Sequence, residues 1–126
     1  MIGGLSIHCV DVARGRIAVG LRVSVYRLRP DASGVGELVA SGSVGSQGLL
    51  AHPALMSEAV CAGGYEVTFD VGGYYRQLRH ESSLDLGESG FLEMVPYRFH
   101  ISRAEQHTHL PFKFTPWGFS LFRGGA

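Results

Sequence analysis

The chain has 126 residues, enough for a single domain spanning 1–126 to bury most of its apolar surface in one core without cross-links. Its 11 Lys+Arg balance 11 Asp+Glu, which removes the field that would draw it to nucleic acid or to an acidic membrane, so neither is an expected partner. Only 17% of residues are charged, against a usual value of about 25%, while 45% are hydrophobic; the surplus of apolar surface points to contact between copies of the chain.

In chain order, Leu5, Ile7 and Cys9 alternate with Ser6, His8 and Val10, which predicts a first strand from Leu5 to Val12 with His8 pointing away from the core. Ala13–Arg16 is a turn, and a turn-supporting ion pair is one of two readings of Asp11 and Arg14, the other being a place near a functional site. A second strand from Leu21 to about Arg29 follows, and the composition of Pro30–Gly36 makes it a loop. A third strand is expected from Glu37 to about Val44, then a tight Gly45–Gly48 turn and a short edge strand, Leu49–Leu55, interrupted by Pro53. Tyr65–Val71 alternates as a strand. Gly72–His80 is the one segment with helical character, barely two turns long, and the polar Glu81–Gly90 run is a loop.

Phe91–Ser102 returns to strand, with Val95, Tyr97, Phe99 and Ile101 on one face. In His107–Phe114 the period of two gives Thr108, Leu110, Phe112 and Phe114 to the core. His107, His109, Pro111 and Lys113 share the opposite face. A Thr115–Gly118 turn lets Phe119–Arg123 return as a hairpin partner. Short strands separated by Gly, Pro and Ser turns predict an all-β fold, an antiparallel two-sheet sandwich of about eight strands with one short helix. No apolar run reaches the roughly 20 residues of a membrane span, and a signal-peptide pattern is absent from the N-terminus, so a cytoplasmic location is expected. Cys9 and Cys61 are too few for a disulfide framework and are read as buried thiols, Cys9 facing inward and therefore no nucleophile.

Three motifs in matching order, Ile7-His-Cys-Val-Asp-Val-Ala-Arg-Gly15, Gly64-Tyr-Glu-Val-Thr-Phe-Asp-Val-Gly72, and His107-x-His-x-Pro with Thr115-Pro-Trp-Gly-Phe-Ser120, resemble the transthyretin-related family over nearly the whole chain. Its enzymatic branch is 5-hydroxyisourate hydrolase. The resemblance implies a two-sheet sandwich with a short helix, assembled as a homotetramer, a dimer of dimers, around a channel that takes a small-molecule substrate or ligand. The enzymatic branch opens a cyclic amide of an oxidised purine by attack of water. It uses a His on the first strand, an Arg in the loop after the third, the second His of the His-x-His pair and a C-terminal Tyr-Arg-Gly-Ser. His8 and His109 match the two histidines, and His107 matches the first member of the pair. The arginine does not carry over: Gln47-Gly48-Leu49 stands for Asp-Gly-Arg. The tail has become Phe122-Arg123-Gly124-Gly125.

His8 and His109 are accordingly the candidate catalytic pair, since neutral imidazole is the common general base near pH 7. His107, Lys113, Arg123 and Ser120 are candidates for binding substrate. Lys113 shares the face of His109 and could return the missing positive charge from a new direction, Arg123 survives from the tail motif, and Ser120 lies on the hairpin strand that lines the channel in the family. The bland alternatives are an exposed lysine with its stem over apolar surface and a surface arginine near a chain end. Trp117 and Phe119 read as core or interface packing. His-x-His aims two imidazoles one way, and a third could complete a zinc site, but the family works without a metal, so neither metal nor other cofactor is expected. Two functions follow: a diverged 5-hydroxyisourate hydrolase-like enzyme acting on a cyclic amide, ureide or related heterocycle, or a non-catalytic small-molecule binding protein.

Overall fold

A computed structural model describes residues 3–31, 33–56, 59–82 and 90–125, the side chains of 81 and 82 excepted. The strands are β1 (Leu5–Asp11), β2 (Arg16–Ile17), β3 (Arg22–Leu28), β4 (Val35–Ser43), β5 (Gly63–Asp70), β6 (Met94–Ile101), β7 (Thr108–Phe114) and β8 (Phe119–Leu121), with one helix, α1 (Val71–Ser82), after β5. They form two four-stranded sheets in the orders β2-β1-β7-β8 and β4-β3-β5-β6.

Alternation is the cause. In β1, β5 and β7 every second side chain is buried, and the inward sets, Ile7 and Cys9, Tyr65, Val67 and Phe69, Leu110, Phe112 and Phe114, meet in one core between the sheets. Phe69 of β5 and Phe112 of β7 stack across it with ring centroids 3.8 Å apart. Cys9 is buried as expected, and desolvation pushes its thiol up to about 12, which makes it inert. Cys61, also expected to be buried, is exposed instead; it follows Val60, which takes the buried position at that point.

Asp11 is fully buried at the end of β1 and is more than a turn support. Its carboxylate accepts from the hydroxyls of Tyr74 (3.0 Å) and Tyr75 (2.8 Å) and from the Arg14 backbone N–H (3.2 Å), tying α1 to β1. Burial, and then the neighbouring Asp11, raises both phenols well above the usual tyrosine range, so they stay protonated as donors.

Three boundaries and one strand pairing depart from expectation. The segment read as an edge strand at Leu49–Leu55 makes only a one-residue bridge, Leu49 to His8, before a 3₁₀ turn at Pro53–Leu55. Pro53 cannot donate to a ladder, and His52 Nδ1 accepts from Ala54 N (3.1 Å) to cap the turn. The helix has 12 residues because Asp70 Oδ1 caps it by accepting from Gly73 N (2.9 Å) and because Glu81 and Ser82 continue it; the rest of the polar run, 83–89, lies outside the described residues. Strand β6 starts at Met94, since Leu92 donates to Pro116 O (3.2 Å) instead of to a strand partner. The sandwich is antiparallel but for one pair: β1 runs parallel to β7, which is possible because the intervening chain builds the other sheet and supplies the crossover.

Candidate functional site

The parallel pair builds the site. Its register sets Ser6 beside His109, His8 beside Pro111 and Val10 beside Lys113, and because the intervening residues face the core, these side chains share the outward face of the sheet. His8 and His109 are therefore diagonal neighbours on adjacent strands.

Two loops close over them. The 45–49 turn descends on His8: Cys9 N donates to Gly48 O (2.9 Å), and Leu49 forms its bridge with His8. Gly48 has φ +80°, and a Cβ there would stand 2.7 Å from His8 Nε2. The tail descends on His109: Gly124 N donates to His109 O (2.7 Å), and a Cβ on Gly124 would stand 2.8 Å from His109 Cδ2 and 3.3 Å from Pro111 Cδ. This cover explains why Pro111, on the outward face, is buried.

A hydroxyl joins the His-x-His pair. Ser6 Oγ lies 2.7 Å from His107 Nε2 and 2.6 Å from His109 Nδ1, and His107 Nδ1 lies 3.2 Å from the carbonyl oxygen of Gly3. His107 sits one residue before β7, half-buried. Partial burial, then the electrostatic influence of neighbouring His8 and His107, lowers the pKa of His109 and favours its neutral form. Ser6 and His107 also line a mostly apolar cavity of about 760 Å³ with Leu49, His52, Pro53 and Met56. A second cavity, about 830 Å³ and lined by Arg27, Arg98 and His100 among others, lies on the other sheet and shares none of the candidate residues.

His8, His107 and His109 are thus brought together. Lys113 is on the same strip, exposed, its Nζ 6.0 Å from the Phe122 ring centroid, and Ser120 faces it across the β7–β8 pair. Arg123 is exposed on the tail beyond β8. Trp117 and Phe119, read as core or interface, are exposed on the single chain. Among the described residues no three His, Cys, Asp or Glu side chains are grouped as a metal site. Sequence reasoning missed Ser6. Its place on the face of His8 was legible from alternation, but its pairing with His109 depends on a parallel register that no local pattern encodes.

Residues 5–124 match the model of the HIUase/Transthyretin family. The chain belongs to this family. Among its relatives, 5-hydroxyisourate hydrolase 2 of Rhizobium meliloti is 36% identical over 122 residues, covering 97% of this chain and 96% of the relative. The 5-hydroxyisourate hydrolase of Pseudomonas aeruginosa is 32% identical over 123 residues, with 98% and 92% covered. Among solved structures, the 5-hydroxyisourate hydrolase of Klebsiella pneumoniae superposes with a TM-score of 0.76 at 29% identity, covering 98% of this chain and all of that one. An (S)-allantoin synthase superposes at 0.81 with 32% identity; this chain spans 44% of that longer protein. The family's fold, two sheets and one helix, is the architecture described above.

Proposed function

We propose that this chain is a diverged hydrolase of the 5-hydroxyisourate hydrolase type, opening a cyclic amide or ureide by histidine-assisted attack of water. The observation that carries the reading is the convergence of His8, His109 and the Ser6-linked His107 on one outward face beneath two covering loops. His109 is the general base, its neutral form favoured by burial and by the neighbouring histidines. His8 orients the reacting carbonyl. His107 and Ser120 border the substrate, and Lys113 and Arg123 supply the positive charge that Leu49 cannot. A fixed cation that stabilises a developing oxyanion is worth about 3 kcal/mol, so the exchange of arginine for Leu49 leaves hydrolysis of 5-hydroxyisourate itself weak.

The working form is a cytoplasmic homotetramer. In the sheet orders β8 and β6 are free edges, and Met94, Trp117, Phe119 and Phe122 beside them are exposed apolar residues. Pairing with a second copy covers both edges and turns the histidine face toward a shared channel. A further reading, a non-catalytic binding protein using the same channel, draws on Leu49 and the apolar cavity beside it.

Ring opening of freshly generated 5-hydroxyisourate and of a panel of cyclic ureides, followed by ultraviolet absorbance, separates the two. The hydrolase reading expects slow turnover of the former, faster turnover of a member of the panel, and a loss of at least about 100-fold in each of His8→Ala and His109→Ala. Equal rates in both variants and the parent leave only the binding reading.

A further inference from the structure

The two contacts of Ser6 have a direction, and the backbone carbonyl on the far side of His107 fixes it. The oxygen of Gly3 can only accept, so the 3.2 Å contact with His107 requires the proton of that ring on Nδ1. Neutral His107 then has a lone pair on Nε2, which faces Ser6 Oγ at 2.7 Å and accepts the serine's one proton. With that proton committed, Ser6 Oγ is left as an acceptor at 2.6 Å from His109 Nδ1, which must donate to it. His109 therefore carries its neutral-state proton on Nδ1 and has an unprotonated Nε2.

We propose that Ser6 is a positioning residue: anchored by His107 and the Gly3 carbonyl, it holds His109 as the Nδ1–H tautomer, so that Nε2 is the basic nitrogen. The inference rests on the reading of His109 as a base and adds which nitrogen acts and what fixes it. Nδ1–H donates to Ser6 before and after Nε2 gains a proton, so no hydrogen bond has to reverse during the proton transfer. That is the preorganisation that lowers the cost of charge developing on the ring. The depressed pKa of His109 agrees with a ring that is neutral when substrate arrives. A free imidazole side chain in water prefers the opposite tautomer, so the observed contacts reverse an intrinsic preference.

The test is the tautomer itself, read in protein labelled with ¹⁵N-histidine from long-range nitrogen–proton correlations at pH 7.5, with His109 assigned by its disappearance in His109→Gln. The expected result is a protonated Nδ1 and an unprotonated Nε2 for His109 in the parent and in Ser6→Thr, and a shift toward protonated Nε2 in Ser6→Ala. A parent His109 with its proton on Nε2 overturns the proposal without recourse to any variant, as does a Ser6→Ala spectrum identical to the parent's. On a substrate that is turned over, Ser6→Ala should lower kcat by about 10- to 100-fold, the usual scale for removing a group that orients an imidazole, with KM little changed and Ser6→Thr restoring the rate. Covalent labelling of Ser6 by a fluorophosphonate would instead mark it as a nucleophile and also overturn the proposal. The tautomer is measured without substrate, so a protein that hydrolyses nothing but shows protonated Nδ1 refutes the hydrolase reading and leaves the positioning role standing.

Discussion

Gly48→Ala should separate the stability of the 45–49 turn from its effect on His8. Gly48 has φ +80°, where a side chain costs about 1–2 kcal/mol of backbone strain. The new Cβ would also stand 2.7 Å from His8 Nε2 and 2.9 Å from Ile17 Cγ2, closer than carbon and nitrogen atoms tolerate. The turn cannot lift away without losing Cys9 N to Gly48 O and Gly48 N to Gly45 O, both 2.9 Å, a further cost of about 1 kcal/mol each. Rotation of the His8 ring is the cheaper relief. A displacement of about 1 Å at a reacting group costs about 100-fold in rate. Gly15→Ala is the control, because Gly15 has φ +65° but nothing within 4 Å of its added Cβ. Chemical denaturation at fixed protein concentration should show similar losses of about 1–2 kcal/mol for both variants, while ring-opening assays should show a large loss of rate for Gly48→Ala alone. Equal rates in the two would refute the claim that the turn holds His8 in its working position.

The remaining predictions concern charge and polarity. Asp11→Ala strands two buried tyrosine hydroxyls and should cost about 2–5 kcal/mol, with Asp11→Asn costing about half because one acceptor survives; a loss below 1 kcal/mol by denaturation would mean that water replaces the carboxylate. Leu49→Arg, at a position 37% exposed, should raise hydrolysis of 5-hydroxyisourate by about 100-fold, and Lys113→Leu should lower turnover of the preferred substrate; both should keep the parent's sedimentation behaviour. The reverse outcome in either rate would remove the charge argument. Because the pKa of His109 is lowered, the acid limb of the rate profile should lie below the ordinary imidazole value of about 6.5. Stability has the matching sign: as pH falls through about 6.5 the unfolded chain takes up a proton that folded His109 resists, so His109 contributes a loss of stability toward acid that His109→Gln should remove. An acid limb above 6.5 would contradict this environment.

Most of the fold is legible because burial with a period of two is a local property. Ile7, Val67, Phe69, Leu110 and Phe112 announce their faces without knowledge of any partner, and the same alternation places His8, His109 and Lys113 outward. What local pattern cannot carry is pairing. Nothing near Ser6 says that it stands beside His109, a hundred residues later, and a single step in register would send every side chain of β1 to the opposite face. The misread segment at Leu49–Leu55 fails for a related reason: its apolar residues fit a strand, but Pro53 and the His52 cap divert the backbone after one bridge. Cys61 shows the limit of residue type as a guide to burial.

The divergence at the site has a physical logic in how the covering loops are attached. Both are held by backbone groups, Cys9 N to Gly48 O and Gly45 N to Leu49 O on one side, Gly124 N to His109 O on the other. None of these bonds depends on the side chains at 49 or 113, which are exposed. Small residues are required where each loop touches a histidine, at Gly48 and Gly124, and those are the positions where this chain keeps glycine. The charge of the site can therefore change, with Leu49 in and Lys113 in, at little cost to the fold, because the parts that locate the two imidazoles are main chain, glycine and the Ser6 hydroxyl. The contacts that hold His8 and His109 on one face are thus separate from the exposed side chains at 49 and 113 whose charge departs from the pattern that the resemblance implies.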